Sequence, residues 1–372
     1  MTRLYFDNNA THPLLPETKA AMIAAMDIEG NTSAQHGNGR SARKIVEDAR
    51  EAVGLAMGVC AQDIIFTGCG TEAINQAVFS AWTAGCKKLL FSEADHVASF
   101  KAAEIWGCPH EFMPVTSTGE IDLDWLKTRF ENWDEEDGRI FVATTAVNSE
   151  TGVIQPIEAT SDLVSEHGGL LSVDAVQALG KIPMTYQPDY LSVSAHKIGG
   201  PQGVGALYVN PDAPISSLLC GAGQERRKRA GTHNVVGLAG FGAAAKAIKD
   251  TSHLAELRDH MEAKLSEMES EITFFGKGSP RIPNTSFFAV PDQSAMTLMM
   301  QLDLEGISVS TGTACSSGKT GENRMLHAMG VTGKAPKGAI RVSMGKTTTM
   351  EDVNRFIQTW VKIRGKSQRS AA

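Results

Sequence analysis

Tyr190-Leu191-Ser192-Val193-Ser194-Ala195-His196-Lys197, followed by Ile198-Gly199-Gly200-Pro201, is the stretch that decides the fold. Its short apolar run before a polar turn is typical of a strand ending at the edge of an α/β sheet, where catalytic groups commonly lie. A lysine in that turn can attach covalently to an aldehyde cofactor. Because most lysines are simply exposed to solvent, Lys197 alone is better explained as a solvated turn residue. Whether Lys197 is catalytic therefore depends on what the neighbouring segments contain.

Short apolar runs alternate with helical patterns on both sides of this stretch. The pattern predicts strands over Asp63–Thr67, Lys88–Phe91, Arg139–Thr144, Gly169–Val173, Tyr190–Val193 and Gly205–Val209. It predicts helices over Glu72–Ala84, Val97–Trp106 and Glu158–His167. Such alternation favours an α/β fold with a largely parallel sheet that is covered by helices on both faces.

The last third of the chain has a different order of elements. Leu254–Glu271 has the charged amphipathic pattern of a long helix that leads to a second domain. Strands are predicted at Thr285–Val290 and Ala339–Ser343, and helices at Ala295–Glu305 and Met350–Lys362. We therefore expect a smaller α+β domain after the large one.

Composition narrows the class of protein. The 372 residues carry a net charge of −7, which argues against broad binding to nucleic acid or to an anionic membrane. No apolar run is long enough to span a bilayer, and the N-terminus lacks the apolar core of a signal peptide. The six cysteines are scattered without a Cys-x-x-Cys pair, so they form neither a zinc pattern nor a compact disulfide framework. We expect a cytoplasmic protein with reduced thiols and no metal site.

A glycine-containing turn precedes one of the predicted helices. Thr67-Gly68-Cys69-Gly70-Thr71-Glu72 lies between a strand and a helix, where backbone N–H groups and the helix N-terminus favour an anion. The hydroxyl of Thr71 would add a donor to a phosphate. An ordinary helix cap explains the same residues about as well.

Further polar groups follow the predicted strands. Asp174 ends a strand, where a carboxylate could hold a protonated pyridine nitrogen. Gln177 and Asn148 could donate to a ring oxygen, and the imidazole of His96 could stack on a flat ring or move protons. Each residue alone is explained by capping, but jointly they form a series of polar groups at successive strand ends.

These segments together resemble a known family. The matching motifs are Tyr5–Thr11, Gly70–Ala73, the segment around His96, Val147–Gly152, Asp174–Gln177, Ser194–Pro201, Gly223–Arg226, Ala230–Thr232, Thr313–Ser316 and Ile340–Ser343. In this order they are similar to those of pyridoxal-phosphate enzymes with the class V aminotransferase fold, and most closely to cysteine desulfurases of the NifS and IscS type. The resemblance runs nearly from end to end.

The resemblance implies a fold-type I transferase with a large domain over residues 17–255. Residues 1–16 and 256–372 would form the smaller domain, which carries Cys315 and Arg341. The implied reaction removes sulfur from L-cysteine to give L-alanine and a persulfide on Cys315. That sulfur would supply iron–sulfur cluster assembly or other thio-cofactors through a sulfur-acceptor protein such as a scaffold.

The resemblance also implies roles around the cofactor, pyridoxal 5′-phosphate. Lys197 would bind it covalently, and Asp174 would pair with the pyridine nitrogen. Gln177 would face the ring hydroxyl, and His96 would stack on the ring and assist proton transfer.

Other roles concern the phosphate and the substrate. Within one subunit the phosphate would be held by Gly70, Thr71, Ser194 and His196. Thr232 would reach the phosphate of the neighbouring subunit, which makes a homodimer necessary for a complete site. Arg341 and Asn148 would bind the substrate carboxylate, a two-oxygen target that suits a guanidinium.

Cys315 lies in Ser308–Gly321, a stretch rich in glycine and small polar residues that predicts a mobile loop. A thiol on such a loop can be exposed, as a reactive cysteine must be. Without the resemblance, an inert loop thiol explains it better. Cys69 departs from the family, which usually has glycine there, although backbone N–H groups can still hold a phosphate.

Three alternatives stay open. An aminotransferase would use the same cofactor but needs no thiol, and selenocysteine lyase activity is compatible with desulfurase activity. A catalytically idle dimeric scaffold would not be expected to keep the complete set of site residues. The basic run Arg226–Arg229 would suit RNA, but a single short cluster in an acidic chain is more often a solvated loop.

Overall fold

The computed structural model describes residues 3–290, 293–312, 323–333 and 338–371. Its strands are β1 Leu4–Tyr5, β2 Ile64–Thr67, β3 Leu89–Ser92, β4 His110–Met113, β5 Phe141–Thr145, β6 Leu170–Asp174, β7 Tyr190–Ser194, β8 Gly205–Val209, β9 Thr273–Phe274, β10 Thr285–Ala289, β11 Ile307–Ser308, β12 Ser310–Thr311 and β13 Ala339–Ser343. Its α-helices are α1 Pro16–Met26, α2 Gly37–Met57, α3 Gly70–Thr83, α4 Val97–Trp106, α5 Leu123–Glu131, α6 Ile157–Glu166, α7 Val235–Lys246, α8 Leu254–Met268, α9 Ala295–Leu304, α10 Arg324–Ala328 and α11 Met350–Ala371.

A seven-stranded sheet in the order β2-β8-β7-β6-β5-β3-β4 forms the centre of the fold. The pairs from β7 to β4 are parallel, whereas β8 runs antiparallel to both β7 and β2. Because the central strands are buried on both faces, their sequences read as nearly continuous apolar runs. The predicted α/β fold with a mainly parallel sheet is confirmed.

Alternate residues of the central strands enter two separate cores. Leu171, Val173 and Leu191 pack with the helices on one face, where α2 and α7 lie. Leu170 and Tyr190 pack on the other face with residues of α3 and α4. This period-2 alternation is the pattern of a sheet covered on both sides.

A second, antiparallel sheet has the order β12-β13-β10-β9, and β1 pairs in parallel with β11 beside it. Its core joins Leu4 and Phe6 from the N-terminus with Trp360 from α11 and Leu257 from α8. The N-terminal segment therefore packs with the end of the chain, as an antiparallel α+β arrangement requires.

The predicted elements differ from the observed ones mainly at their boundaries. Most predicted strands and helices lie within one or two residues of the observed ones, but α11 continues well beyond Lys362, to Ala371. Helices α1 and α2, strand β4 and helix α5 were not predicted. In α2 the opening Gly37-Asn38-Gly39 is a poor helix signal, since glycine disfavours helices.

A buried carboxylate holds the loop between β8 and α7. Glu225 accepts hydrogen bonds from Nη1 and Nη2 of Arg50 at 2.7 and 2.9 Å, and from the backbone N–H of Phe66 at 3.0 Å. Its Oε1 also lies 2.6 Å from Nε2 of His233. Burial raises the pKa of Glu225, but the hydrogen bonds from His233 and Arg50 outweigh that effect and lower it to about 2.

The same loop has an unusual backbone. Glu225, Arg226 and Arg227 have φ angles of 43°, 53° and 66°, in the left-handed region that disfavours residues with a Cβ. Arg229, in the basic run, pairs with Glu72 at 2.7 Å. The loop is thus anchored at both ends by ion pairs to other elements.

Candidate active site

The carboxyl ends of the parallel strands open into a cavity of about 370 Å³. It brings together nine of the residues predicted from the sequence: Gly70, Thr71, His96, Asp174, Gln177, Ser194, His196, Lys197 and Arg341. Asn148 lines a smaller adjoining cavity of about 80 Å³, which His96 also lines. A cavity at this edge of an open α/β sheet is the expected place for a ligand.

One predicted residue among the described ones lies elsewhere. Thr232 is exposed and does not line either cavity of its own chain. Cys315 lies outside the described residues.

Lys197 ends the short turn Ala195–Lys197 that directly follows β7. Its Nζ donates hydrogen bonds to the backbone carbonyls of Asn9 at 2.6 Å and Ala10 at 2.8 Å. An amine held by two neutral acceptors is aimed at a fixed point in the cavity, as a covalent attachment site requires.

Asp174 is the last residue of β6 and is buried. Burial raises the pKa of its carboxyl group, while the backbone N–H of Val176 and the nearby His96 and Lys197 act in the opposite direction. A buried carboxylate at a strand end is the partner that a protonated pyridine nitrogen needs.

His96 caps the N-terminus of α4, because its Nδ1 accepts the backbone N–H of Ala98 at 3.2 Å. A backbone N–H can only donate, so Nδ1 carries no proton and the neutral ring bears its proton on Nε2. Burial lowers the pKa of His96, and the charge of Lys197 adds to this against the opposing effect of Asp174. A neutral imidazole with a known tautomer results.

The strand-to-helix turn at α3 has the features of a phosphate site. Gly70 begins α3, and a Cβ added there would lie 2.9 Å from Cγ2 of Val176. Gly68 N–H is already bound to Oε2 of Glu72 at 2.7 Å, and Cys69 makes no side-chain cap. Backbone donors at a helix N-terminus with the Thr71 hydroxyl beside them suit a phosphate.

His196 lies on the other side of this turn. Its Nδ1 lies 3.3 Å from Oγ1 of Thr11. Burial, with the charges of Lys197 and Lys181, lowers the pKa of His196 to about 4. The ring is therefore neutral at pH 7, and one nitrogen can donate a hydrogen bond.

Arg341 comes from β13 of the second sheet and faces the cavity from above. Its Nη2 lies 2.7 Å from Oδ1 of Asp7, and its Nη1 donates to the backbone carbonyl of Ser149 at 3.0 Å. Its Nε is buried and has no hydrogen-bond partner among the described residues. A buried unpaired donor is costly, so this atom points to a ligand acceptor such as a carboxylate.

Asn148 is held more tightly than its predicted role suggests. Its Oδ1 accepts the backbone N–H groups of Glu150 and Thr151 and the Thr151 hydroxyl, at 2.9 to 3.0 Å. Its Nδ2 donates to the carbonyl of Ala94 at 2.9 Å. Only the second Nδ2 hydrogen is left for a ligand.

The sequence reasoning missed Asn9, which joins the two sheets. Its carbonyl accepts from Lys197 and also from Nε2 of Gln177 at 2.8 Å. Its side chain binds Oγ1 of Thr285 at 2.8 Å and Nδ2 of Asn284 at 3.1 Å. The polar run Asp7-Asn8-Asn9 directly after β1 was the available signal.

Glu150 was also missed. It accepts a hydrogen bond from Nδ2 of Asn323, and burial raises its pKa to about 7 against the lowering effects of Asn323, Arg341 and Arg324. Asn323 also donates to the carbonyl of Gly312 at 2.6 Å. These residues line the smaller cavity.

Comparison with known proteins agrees with this geometry. The profile of the aminotransferase class-V family matches residues 4–356, so the chain belongs to that family. Its cofactor is pyridoxal 5′-phosphate. The donors of the cavity fit this group, since a lysine amine, a buried carboxylate and a glycine-lined helix N-terminus match its aldehyde, pyridine nitrogen and phosphate.

Particular relatives narrow the class further. The chain is 36% identical to "Cysteine desulfurase IscS" of Dictyoglomus turgidum, over 97% of this chain and 94% of the relative. It is 35% identical to "Cysteine desulfurase" of Cereibacter sphaeroides, over 96% and 95%. A solved "NifS-like protein" superposes with a TM-score of 0.89 at 33% identity, covering 98% of this chain and all of the other.

Other findings concern membranes and metals. Among the described residues, no helix is long and apolar enough to cross a membrane. The described part of the chain also holds no group of three or more His, Cys, Asp or Glu placed to bind a metal ion.

Proposed function

We propose that this chain is a pyridoxal-phosphate-dependent cysteine desulfurase. The observation that carries the proposal is a single cavity that joins Lys197 from the central sheet to Arg341, with its unpaired Nε, from the second sheet. The names of the relatives, at 35 to 36% identity over nearly the full chain, support the same activity.

The cofactor, when bound, withdraws electrons from the α-carbon of an amino acid. The protein residues supply position and protons. Lys197 holds the cofactor covalently and exchanges protons at the α-carbon, while Asp174 keeps the pyridine nitrogen protonated. His96, with its proton on Nε2, donates or accepts a proton beside the ring.

The remaining roles concern the two anionic groups. Arg341 binds the substrate carboxylate through the guanidinium hydrogens that Asp7 and Ser149 leave unused, and Asn148 adds the second Nδ2 hydrogen. The phosphate is held by Gly70, Thr71, Ser194 and His196. Gln177 donates to the ring oxygen.

Sulfur leaves the substrate by attack of a thiolate. The Cys315 thiolate forms an S–S bond with the sulfur of L-cysteine, and the C–S bond breaks with its electron pair staying on carbon. Protonation of that carbon gives L-alanine, and Cys315 holds a persulfide. An added thiol reductant then releases the sulfur as sulfide and restores the thiol.

The described residues on either side of Cys315 support its assignment. Gly312 and Asn323 are joined by the 2.6 Å hydrogen bond, and both line the smaller cavity with His96 and Asn148. The two described residues that flank the Cys315 segment in the sequence therefore lie beside the candidate active site.

We also propose a homodimer in which Thr232 completes the phosphate site of the other subunit. Thr232 is exposed and lies away from the cavity of its own chain, while α1 leaves Ile23 and Met26 more than half exposed. Exposed large apolar side chains such as these are often covered at a subunit interface.

Three finer assignments belong to the same proposal. We propose a division into domains at residues 16/17 and 255/256. The free thiols of Cys60, Cys69, Cys86, Cys108 and Cys220 support a reducing, cytoplasmic location. A sulfur-acceptor protein, such as an iron–sulfur scaffold, would take the persulfide sulfur.

The test is a coupled product assay. The purified holoenzyme is incubated with L-cysteine and dithiothreitol, and alanine and sulfide are measured together. The wild type is expected to release alanine and sulfide in equal amounts. Cys220→Ser, which removes a different exposed thiol, is the matched control and should do the same. Cys315→Ser should keep the visible absorption of the cofactor and lose sulfide release. Normal turnover by Cys315→Ser would contradict the nucleophile assignment.

A further inference from the structure

Lys181 is a lysine of the cavity region to which neither the sequence nor the comparisons assign a role. It lies four residues after Gln177, in the turns that follow β6. Its Nζ donates to Oε1 of Gln177 at 2.5 Å and lies 3.4 Å from Oδ1 of Asn9. Both partners are neutral amides, so the two hydrogen bonds do not balance its charge.

The surroundings of Lys181 are basic. The nearby charged or titratable groups are Lys197, Arg341, His12 and His196. The cavity beneath it is lined by Lys181, Lys197, Lys346 and His12, with no aspartate or glutamate among its described lining residues. Burial lowers the pKa of Lys181 well below its ordinary value, and the charges of Lys197 and Arg341 add to that effect.

The contact with Lys181 helps to fix the orientation of a neighbouring amide. Gln177 donates through Nε2 to the Asn9 carbonyl at 2.8 Å and accepts through Oε1 from Lys181. A backbone carbonyl can only accept, so the end of the amide that faces Asn9 must be Nε2, and the end that faces Lys181 is Oε1. The second hydrogen of Nε2 is then the one available to a ligand.

This amide is also linked to the cofactor lysine. The Asn9 carbonyl that accepts from Gln177 accepts from Lys197 as well, at 2.6 Å. Lys181, Gln177, Asn9 and Lys197 therefore form one continuous hydrogen-bonded chain. A change at its first member can reach the residue to which the cofactor is attached.

We propose that Lys181 is a positioning residue of the cofactor site, which rests on the proposed function. When the anionic cofactor is bound and supplies a counter-charge, the protonated amine of Lys181 holds the Gln177 amide with Nε2–H directed to the ring oxygen of pyridoxal phosphate. Its positive charge also favours the ionised ring oxygen and the unprotonated nitrogen of Lys197. The negative cofactor in turn supplies a counter-charge to Lys181, whose hydrogen-bond partners among the described residues are the neutral amides of Gln177 and Asn9.

Two variants test the role of the Lys181 amine. Lys181→Met removes the donor and the charge at similar length, whereas Lys181→Arg keeps both. Lys127→Met, an exposed lysine on α5, is the matched control. For each purified holoenzyme we would titrate the visible absorption of the cofactor with pH, and measure the dissociation constant for pyridoxal phosphate on the apoenzyme.

The expected results follow from charge. Loss of a nearby cation makes the Lys197 nitrogen easier to protonate, so the pH midpoint of the visible absorption should rise by about one unit in Lys181→Met. The dissociation constant should rise roughly tenfold. Lys181→Arg should restore most of both values, and Lys127→Met should match the wild type. An unchanged midpoint in Lys181→Met would overturn the proposal.

A double-mutant cycle covers the case in which Lys181→Met folds poorly. Lys181→Gln, which stays polar at this buried position but loses the charge, replaces it in the cycle. If Lys181 acts through Gln177, then Lys181→Gln and Gln177→Leu should be non-additive in the dissociation constant. Additive effects would overturn the proposal. A wild type without cofactor absorption would instead refute the proposed function itself, so the two failures can be told apart.

Discussion

Oδ1 of Asp7 lies 2.7 Å from Nη2 of Arg341, so the guanidinium that lines the cavity is already paired with a carboxylate. The two residues are far apart in the chain, and they meet because β1 packs beside the second sheet. The Ser149 carbonyl accepts a hydrogen bond from Nη1. Nε is then the guanidinium nitrogen that has no hydrogen-bond partner among the described residues. Asp7 therefore compensates the positive charge of Arg341 and occupies one side of its guanidinium group.

Asp7→Asn should bind amino-acid ligands more tightly. Removal of one negative charge leaves Arg341 with a net positive charge facing the substrate carboxylate, and a dissociation constant about threefold to tenfold lower is expected for the product L-alanine. The measurement is the change in cofactor absorption on titration with L-alanine. Weaker binding would mean that Asp7 is needed mainly to orient Arg341.

Lys197→Ala should lose the visible absorption that covalent attachment of the cofactor produces. Lys197→Arg keeps a positive charge near the Asn9 carbonyl but cannot form the attachment, so it should lose the absorption as well. Spectra of both variants, dialysed against pyridoxal phosphate, give the result. A wild-type spectrum in either variant would refute Lys197 as the attachment site.

Two inactive variants should complement each other if Thr232 acts across subunits. Each site would use Lys197 of one subunit and Thr232 of the other. In a mixed dimer of Lys197→Ala and Thr232→Ala, one site therefore contains both substitutions and the other contains neither. Random reassembly makes about half of the dimers mixed, so roughly a quarter of wild-type sulfide release should return. Each variant refolded alone serves as the control. No recovery, although mixed dimers have formed, would place Thr232 outside the partner's site.

Glu225→Gln should destabilise the protein strongly at neutral pH. It removes the buried carboxylate partner of Arg50, which keeps only the half-exposed Glu47 at 3.0 Å, and a loss of about 3 kcal/mol in the free energy of unfolding is expected. Glu51→Gln, an exposed glutamate on α2, should have little effect. Urea unfolding gives the comparison.

The same carboxylate predicts a pH dependence. Its pKa in the folded protein is about 2, below the ordinary value of 4.5. The lowered pKa means that its stabilisation is complete above about pH 4.5 and is lost as the pH falls from there towards 2. The difference between wild type and Glu225→Gln should therefore shrink over that range. A difference that stays constant down to pH 3 would contradict the assignment.

Much of this structure could be predicted from the sequence, and the reason is physical. The strands from β5 to β8 are buried on both faces, so their apolar runs and terminal polar turns are visible without knowledge of the fold. Asp174 directly after one run and Lys197 in the turn after another were noticed as candidates for this reason, and their predicted roles came from the family resemblance. Helix α1 was missed because exposed Ile23 and Met26 obscure its amphipathic pattern.

The missed residues share a different property. Asn9, Asp7 and Lys181 acquire their roles only when distant segments meet, as when the carbonyl of Asn9 receives Lys197. A backbone carbonyl has no sequence signature. Lys181 reads as an ordinary lysine until burial among amides and cations makes it exceptional.

The backbone of the Glu225–Arg227 turn constrains how this sequence can drift. Three successive left-handed residues without a glycine are tolerated because Arg50 and His233 hold the turn from outside. Glycine at position 226 or 227 would relieve strain, whereas a β-branched residue would add to it. The residues tolerated at these two positions are therefore restricted by the left-handed backbone more than by side-chain chemistry. An arginine there is not by itself evidence of an anionic ligand.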